Sequence, residues 1–228
     1  MNDFIKYIRD YSTLLHKGAS WHNSKEAIAH VISDVDKANA TDNYIYEFYC
    51  YICIIVDLLS NYEIEFIKGD GDYAFKFPQA AAEKKGKPRF HALKDGKVQF
   101  QICAGTKISG SFDSEQNHPD ISFQLADSSD QPVRSDLIII LDAKFRENPN
   151  SKLSKGEVYT FIVNVSLFKL NTIPNFQINL NRLKDFYGNC LITNGYSYSN
   201  KQNVEFIIDS NIKEIENFYP GQKFNVLG

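Results

Sequence analysis

Hydrophobic residues recur at three- and four-residue steps in the first part of the chain. Phe4, Ile8 and Tyr11 follow this spacing, and similar steps continue further along residues 3–38. Such spacing places apolar side chains on one face of a helix. The pattern predicts two helices here, divided near Gly18.

A third helix is predicted to begin near Thr41 or Asp42, since either residue is a good N-cap. It is predicted to end at Leu59 and is apolar on nearly every side. A helix of this kind belongs in the middle of a structure. Its β-branched and aromatic content leaves a strand open as an alternative.

The pattern changes to strands after this helix. Val98, Phe100 and Ile102 alternate with more polar residues, which is the two-residue period of a half-buried strand. Runs rich in Gly, Pro and Asp separate one apolar run from the next. The predicted strands are residues 62–67, 73–77, 98–103, 120–126, 136–145, 190–193 and 204–208.

Helices are predicted at residues 180–187 and 212–218, and residues 83–97 are predicted to form a polar, basic loop. Residues 157–168 are ambiguous, because their apolar content suits a helix against a sheet while their valines favour a strand. The helix is preferred. Strands mixed with helices predict an α/β fold.

Composition narrows the class of protein. The hydrophobic fraction of 43% supports a packed interior, and no apolar run approaches the roughly 20 residues of a membrane-spanning helix. The N-terminus lacks the features of a secretory signal, so a cytoplasmic location is expected. The four cysteines lie in apolar surroundings without regular spacing, which favours reduced core residues over a disulfide framework or a zinc site.

Candidate chemistry is concentrated in the predicted hairpin formed by residues 120–126 and 136–145. Asp120 begins the first strand on its polar side. Asp142 and Lys144 end the second strand on a shared side, directly after an apolar run. Charges at the end of a buried strand are costly unless they are paired, hydrogen-bonded or bound to a metal. The two readings are therefore a metal site with a catalytic lysine and a structural ion pair.

The spacing acid-x-Lys is not specific by itself, because it occurs at residues 83–85, 95–97 and 142–144. Only the third occurrence ends an apolar strand, and it alone follows a Pro-Asp pair, Pro119-Asp120. This context selects Asp120, Asp142 and Lys144.

The sequences His118-Pro119-Asp120-Ile121 and Ile138-Ile139-Ile140-Leu141-Asp142-Ala143-Lys144-Phe145 resemble the PD-(D/E)xK nuclease superfamily. The resemblance implies a restriction-endonuclease-like core, a central mixed β-sheet flanked by helices, over residues 41–228. Residues 1–40 would form a helical N-terminal extension. It also implies Mg²⁺, for which Mn²⁺ would substitute, bound by Asp120, Asp142 and the backbone of Ala143. Lys144 would activate or orient the attacking water.

Many family members add a glutamate from a helix that precedes the hairpin, and Glu47 fits that place as a metal-binding and catalytic residue. A carboxylate inside so apolar a helix is expensive to bury without a partner, although a tyrosine hydroxyl or an exposed edge would also satisfy it. The run Tyr46-Glu47-Phe48-Tyr49 is most similar to nuclease subunits of modification-dependent restriction systems. A later helix in the family often carries an acid or glutamine and a tyrosine. Glu157 corresponds to the acid, but the glutamine is missing.

The resemblance implies DNA as the substrate, with RNA less favoured, in restriction or defence against foreign DNA. Residues Lys85, Lys87, Arg89 and Arg146 are the candidate phosphate contacts. The net charge of −3 provides no overall attraction for nucleic acid, so either positive charge concentrated near the site or a partner subunit is expected to hold the substrate. Cleavage of both strands by one active site would suggest a homodimer. The alternative is a non-catalytic subunit that keeps the fold to bind nucleic acid or protein.

Overall fold

The computed structural model describes residues 1–19, 41–78, 82–109, 118–168, 178, 180–183, 188–198, 207, 209–210 and 212–227. Three α-helices lie within this part of the chain: α1 (Asn2–Gly18), α2 (Asp42–Leu58) and α3 (Lys155–Phe168). The predicted second N-terminal helix lies outside it, as does nearly all of the predicted strand at 204–208. None of the helices in the described ranges is long and apolar enough to cross a membrane.

The strands form one mixed sheet of eight, in which every strand lies next to its neighbours in sequence. β1 to β5 are antiparallel, β5 to β7 are parallel, and β8 is again antiparallel. The fold is therefore α/β, as the sequence predicted. The strands are β1 (Glu63–Ile67), β2 (Arg89–Lys94), β3 (Lys97–Ala104), β4 (Ile121–Leu125), β5 (Leu137–Lys144), β6 (Asn189–Thr193), β7 (Ile212–Glu216) and β8 (Asn225–Leu227).

Two hydrophobic cores hold the helices to the sheet. The larger core joins α1 and α2 to the sheet, and Phe4 of α1 packs edge-on against Tyr46 and Tyr49 of α2. The smaller core joins α3 to β5, β6 and β7 through residues such as Phe161 and Leu191. Residues 157–168, which were ambiguous in sequence, are thus helical and bury one apolar face.

α2 is the helix that the sequence placed in the middle of the structure. The Thr41 side chain accepts a hydrogen bond from the Tyr44 N–H at 3.3 Å, which caps the first turn as predicted. From Tyr44 to Leu58 every residue of α2 is buried except Glu47. This stretch carries two carboxylates: the partly buried Glu47 and the buried Asp57, which accepts hydrogen bonds from the N–H groups of residues 181–183.

Four local predictions were wrong, the last of them over its described part. Residues 89–94, predicted as part of a loop, form β2, and residues 212–218, predicted as a helix, contain β7. Residues 73–77, predicted as a strand, begin with the last residue of a 3₁₀ turn, Gly71–Tyr73, and pair with no strand. Within the predicted helix at 180–187, residues 180–183 are not helical, and residues 184–187 lie outside the described ranges.

Candidate active site

Asp120 and Asp142 lie side by side at the ends of two neighbouring strands. Ile121 of β4 pairs with Leu141 of β5, and one further step in this antiparallel register places Asp120 opposite Asp142. The two carboxyl groups are within hydrogen-bonding reach of each other. Asp120 Oδ2 also accepts a hydrogen bond of 2.7 Å from the Ala143 N–H. The structure thus brings together the two acids that the sequence singled out.

Lys144 completes this group from the same strand. Its Nζ lies 2.7 Å from Asp142 Oδ2, as the two-residue period of a strand requires. Burial lowers the pKa of the ammonium, but the attraction of Asp142, Asp120 and Glu47 outweighs burial and raises the pKa above its ordinary value. Lys144 therefore stays charged at neutral pH.

Glu47 approaches the group from α2. Burial raises its pKa to about 7, against the opposing attraction of Lys144 and with the added repulsion of Asp142. Within the described part of the chain, no hydrogen bond to the Glu47 carboxylate is found, so the attraction of Lys144 is what opposes its partial burial there. A carboxylate covered in this way costs stability unless it is fully compensated.

Electrostatic repulsion among the acids is the main feature of the site. Burial raises the pKa of Asp120 well above its ordinary value, and the proximity of Asp142 and then Glu47 raises it further. Two carboxylates this close cannot both ionise cheaply without a cation or a shared proton between them. One ammonium does not balance three carboxylates, so the site favours an additional positive charge.

The donor set fits a hard divalent cation. Carboxylate and carbonyl oxygens are the ligands that Mg²⁺ prefers, and Asp120 and Asp142 supply carboxylates on adjoining strand ends. No group of three or more His, Cys, Asp and Glu side chains in the described ranges is already gathered in a metal-binding arrangement. Asp120 and Asp142 therefore suit such a cation as a pair, with Glu47 close to them. The metal-binding roles of Asp120, Asp142, Glu47 and Ala143 stay predictions.

A cavity of about 140 Å³ adjoins the acids. Its wall includes one stripe of α2, formed by Tyr44, Glu47, Phe48 and Tyr51, and the facing residues His118 and Asp120. His118 Nδ1 is buried and has no hydrogen-bond partner within the described residues. Burial lowers the pKa of His118, so its imidazole is neutral at pH 7.

Arg146, predicted as a phosphate contact, is engaged within the protein. Its guanidinium forms an ion pair with Glu157 at the start of α3. Glu157 also accepts a hydrogen bond of 2.7 Å from the Ser154 N–H, while Ser154 Oγ accepts one of 3.2 Å from the Glu157 N–H. This reciprocal pattern is a capping box. Glu157 therefore connects the N-terminus of α3 to the chain beyond Lys144.

Asn194, the residue directly after β6, holds the same segment, and the sequence did not point to it. Asn194 Oδ1 accepts a hydrogen bond of 2.6 Å from the Arg146 N–H, and its Nδ2 donates one of 2.8 Å to the Arg146 carbonyl. The side chain thereby continues the parallel pairing of Lys144 with Thr193. The available signal was the Asn-Gly pair directly after an apolar strand, which marks a tight turn.

Gly195, next to this brace, has no room for a side chain. A Cβ there would lie 2.4 Å from the Ser151 carbonyl oxygen and 2.9 Å from Arg146 Cγ. We expect Gly195→Ala to lower the free energy of unfolding by about 2–4 kcal/mol, since backbone must shift to relieve the contact. Urea unfolding followed by circular dichroism measures this change.

Gly156→Ala is the matched control. Gly156 lies in the first turn of α3, and a Cβ there would meet only Ser154 Oγ, at 3.8 Å. Alanine is the better helix former, so this variant should be neutral or more stable by up to about 1 kcal/mol. Equal stability of the two variants would contradict the close packing at Gly195.

The basic segment before β2 divides into buried and exposed side chains. Lys84 is buried, with its Nζ within 3.0–3.1 Å of acceptors on Gln124, Ser128 and Ser129, and burial lowers its pKa. Lys85 is exposed and Lys87 is partly exposed. Arg89 lies 3.8 Å from Asp130 and is mostly covered. Lys84 therefore belongs to the protein interior, and Lys85 and Lys87 are the accessible cations.

The described cysteines agree with the sequence reading, as Cys50, Cys53, Cys103 and Cys190 are all buried and free.

Comparison of the chain with protein-family models, with curated proteins and with solved structures finds no match.

Proposed function

We propose that this protein is a Mg²⁺-dependent nuclease that hydrolyses phosphodiester bonds of DNA, with a restriction-endonuclease-like core. One observation carries the proposal. Asp120 and Asp142 meet across β4 and β5, with the Lys144 ammonium 2.7 Å from Asp142 and Glu47 facing them from α2. Carboxylates that suit a divalent cation, beside an ammonium that can stabilise negative charge, support metal-assisted phosphodiester hydrolysis.

Asp120, Asp142 and Glu47 would hold the metal, with the backbone of Ala143 as a further candidate ligand. A bound Mg²⁺ supplies Lewis-acid stabilisation of phosphate charge and lowers the pKa of water. Asp142 has a second task, because its Oδ2 fixes the Lys144 ammonium through the 2.7 Å contact. Asp120 is held in turn by the Ala143 N–H.

Lys144 is placed to stabilise negative charge during the reaction. Its ammonium stays protonated at neutral pH, and the N–H groups that do not contact Asp142 can donate to a phosphate oxygen or to the attacking water. Because the ammonium is fixed before substrate arrives, little reorganisation is needed during the reaction. Asn194 and Glu157 support this placement through the segment at Arg146.

Lys85 is exposed and Lys87 is partly exposed, so both stay candidate contacts to a nucleic-acid backbone, whereas Arg146 and Arg89 lie against carboxylates. The net charge of −3 predicts weak binding by the chain alone. We therefore infer that a partner subunit or a second copy contributes to substrate binding. A cytoplasmic role in defence against foreign DNA remains part of this proposal.

The decisive experiment is cleavage of linear and plasmid DNA by the purified chain in Mg²⁺ or Mn²⁺, with EDTA as the metal-free control. We expect cutting that requires the metal. A protein that is folded by circular dichroism but cuts neither DNA nor RNA in either metal would instead support the non-catalytic alternative. The engagement of Arg146 with Glu157 is the observation that favours this alternative.

A further inference from the structure

Two rows of residues cross the ends of β3, β4 and β5 beside the candidate active site. Ala104 of β3 pairs with Ile121 of β4, and the Gly105 N–H donates a hydrogen bond of 2.9 Å to the Asp120 carbonyl. The pairing therefore continues one residue past the end of β3 and the start of β4. The registers of the three strands place Gly105, Asp120 and Asp142 side by side, so the first row contains the acid pair.

The second row lies two residues further along each segment, and we call it the basic row. Continuing the same two registers places Lys107 opposite His118, and His118 opposite Lys144. Burial is the main cause that lowers the pKa of His118. Asp142 opposes this shift, while the ammonium groups of Lys144 and Lys107 lower the pKa further, so both lysines lie close to the imidazole. Three basic side chains therefore run beside the acid pair.

Lys107 is the exposed end of the basic row. Thr106 and Ile108 on either side of it are buried, whereas Lys107 itself is exposed. The Lys107 N–H donates a hydrogen bond of 2.8 Å to the Ala82 carbonyl, and the Ala82 N–H donates one of 2.9 Å to the Gly105 carbonyl. The backbone of Lys107 is thus held in place while its side chain stays accessible.

The spacing of the basic row suits two phosphates of one nucleic-acid strand. Neighbouring strands of a sheet lie about 4.8 Å apart, so the two steps from β5 to β3 separate the backbones of Lys144 and Lys107 by about 10 Å. A phosphodiester chain that presents one phosphate to Lys144 can therefore present another to Lys107. Contacts of this kind fix the position of the strand and do not read its sequence.

We propose that Lys107 binds a backbone phosphate of the substrate DNA, next to the phosphate that is attacked at the acid pair. This inference rests on the proposed function, because the metal and Lys144 fix the attacked phosphate. Arg89 and Arg146 lie against carboxylates, whereas no ion pair joins Lys107 to another described residue. Lys107 therefore keeps its charge available for the substrate.

The contact is tested by binding in the absence of cleavage. Fluorescence anisotropy of a labelled DNA duplex, at constant Ca²⁺ and several salt concentrations, gives the slope of log Kd against log salt. One phosphate contact contributes about 0.9 to this slope. We expect Lys107→Ala to lower the slope by about that amount and to weaken binding about eightfold at 0.1 M salt. Lys107→Arg keeps the charge and should retain the wild-type slope.

Lys97→Ala is the matched control, because Lys97 is exposed at the other end of β3 and the substitution removes the same charge. It should keep the wild-type slope. Circular dichroism checks that each variant is folded, and Lys107→Gln replaces Lys107→Ala if the latter is not. A folded Lys107 variant with the wild-type slope and affinity overturns the proposal. So does an equal loss of binding in Lys97→Ala, or wild type that binds no DNA at low salt.

The two proposals fail in different ways. Metal-dependent cleavage by wild type, together with unchanged binding by Lys107→Ala, retains the nuclease and removes the Lys107 contact. A lowered slope in Lys107→Ala, with no cleavage by wild type in Mg²⁺ or Mn²⁺, retains the contact and removes the hydrolytic function.

Discussion

Asp142→Asn is expected to lower the rate of metal-dependent DNA cleavage by a factor of about 10² to 10³, and Lys144→Ala by a similar factor. Asparagine keeps the shape of the side chain but removes the charge that binds a cation and fixes Lys144 at 2.7 Å. Alanine at position 144 removes the ammonium that stabilises charge on the phosphate. Single-turnover cleavage at saturating Mg²⁺ measures both rates.

The controls for this experiment carry the same chemical changes elsewhere. Asp127 and Lys152 are exposed, so Asp127→Asn and Lys152→Ala should cut at the wild-type rate. If Asp142→Asn retains wild-type cleavage, the observed activity does not come from the Asp120–Asp142 site, and the proposed function is wrong. A loss of cleavage in Asp127→Asn would show that the assay reports folding rather than chemistry.

Glu47→Gln is expected to stabilise the metal-free protein at pH 8 by about 2 kcal/mol and to abolish most of its stabilisation by Mg²⁺. The pKa of Glu47 is about 7 in the folded protein against an ordinary value of 4.5. The folded state therefore binds more protons than the unfolded state between these values, and stability is lost as the pH rises from 4.5 through 7. Glutamine carries no charge and avoids this loss.

Denaturant unfolding at pH 4.5 and pH 8, with and without Mg²⁺, measures both effects. At pH 4.5 Glu47 is largely protonated, so the two proteins should unfold alike. At Mg²⁺ a hundredfold above its dissociation constant, wild type should gain about 2.7 kcal/mol at pH 8 and the variant much less. Glu63 is exposed, and Glu63→Gln should show neither change. A Glu47→Gln protein that responds fully to Mg²⁺ would exclude Glu47 as a ligand.

The local hydrophobic pattern correctly predicted the elements whose burial and capping are decided by residues close in sequence. The alternation around Phe100 and the apolar run before Asp142 are strands, and Thr41 caps α2, because burial and hydrogen bonding there follow short-range periodicity. β7 was different. Ile212, Ile215 and Phe218 have helical spacing, yet pairing with β6 in a buried sheet outweighs that preference.

β2 was not predicted as a strand because several of its residues are charged. Arg89, His91 and Lys94 make the segment appear solvated, and only the structure supplies the neighbouring strands β1 and β3 that pair with it. The burial of Lys84 depends on acceptors from Gln124 and the turn after β4, about forty residues away. Contacts between segments so far apart leave no trace in local composition.

The candidate site was more accessible to sequence reasoning than the fold around it. Asp120, Asp142 and Lys144 stand out because charge is costly at the end of an apolar strand, and their meeting follows from a single antiparallel register. Asn194 was not found, because its contribution is a pair of hydrogen bonds to the backbone of Arg146 and not a charge. These two hydrogen bonds can be recognised only when the parallel alignment of β5 and β6 is known.

The order of the strands has a consequence for how the protein forms. Each strand of the sheet pairs with the strand that precedes it in sequence, so no strand has to be inserted between two others that are already in place. Glu47, Asp120, Asp142 and Lys144 all precede β6. During synthesis the acids can therefore come together while the antiparallel strands β1 to β5 form. The parallel strands β6 and β7 emerge afterwards, and they fix the segment that contains Lys144 from the other side of β5.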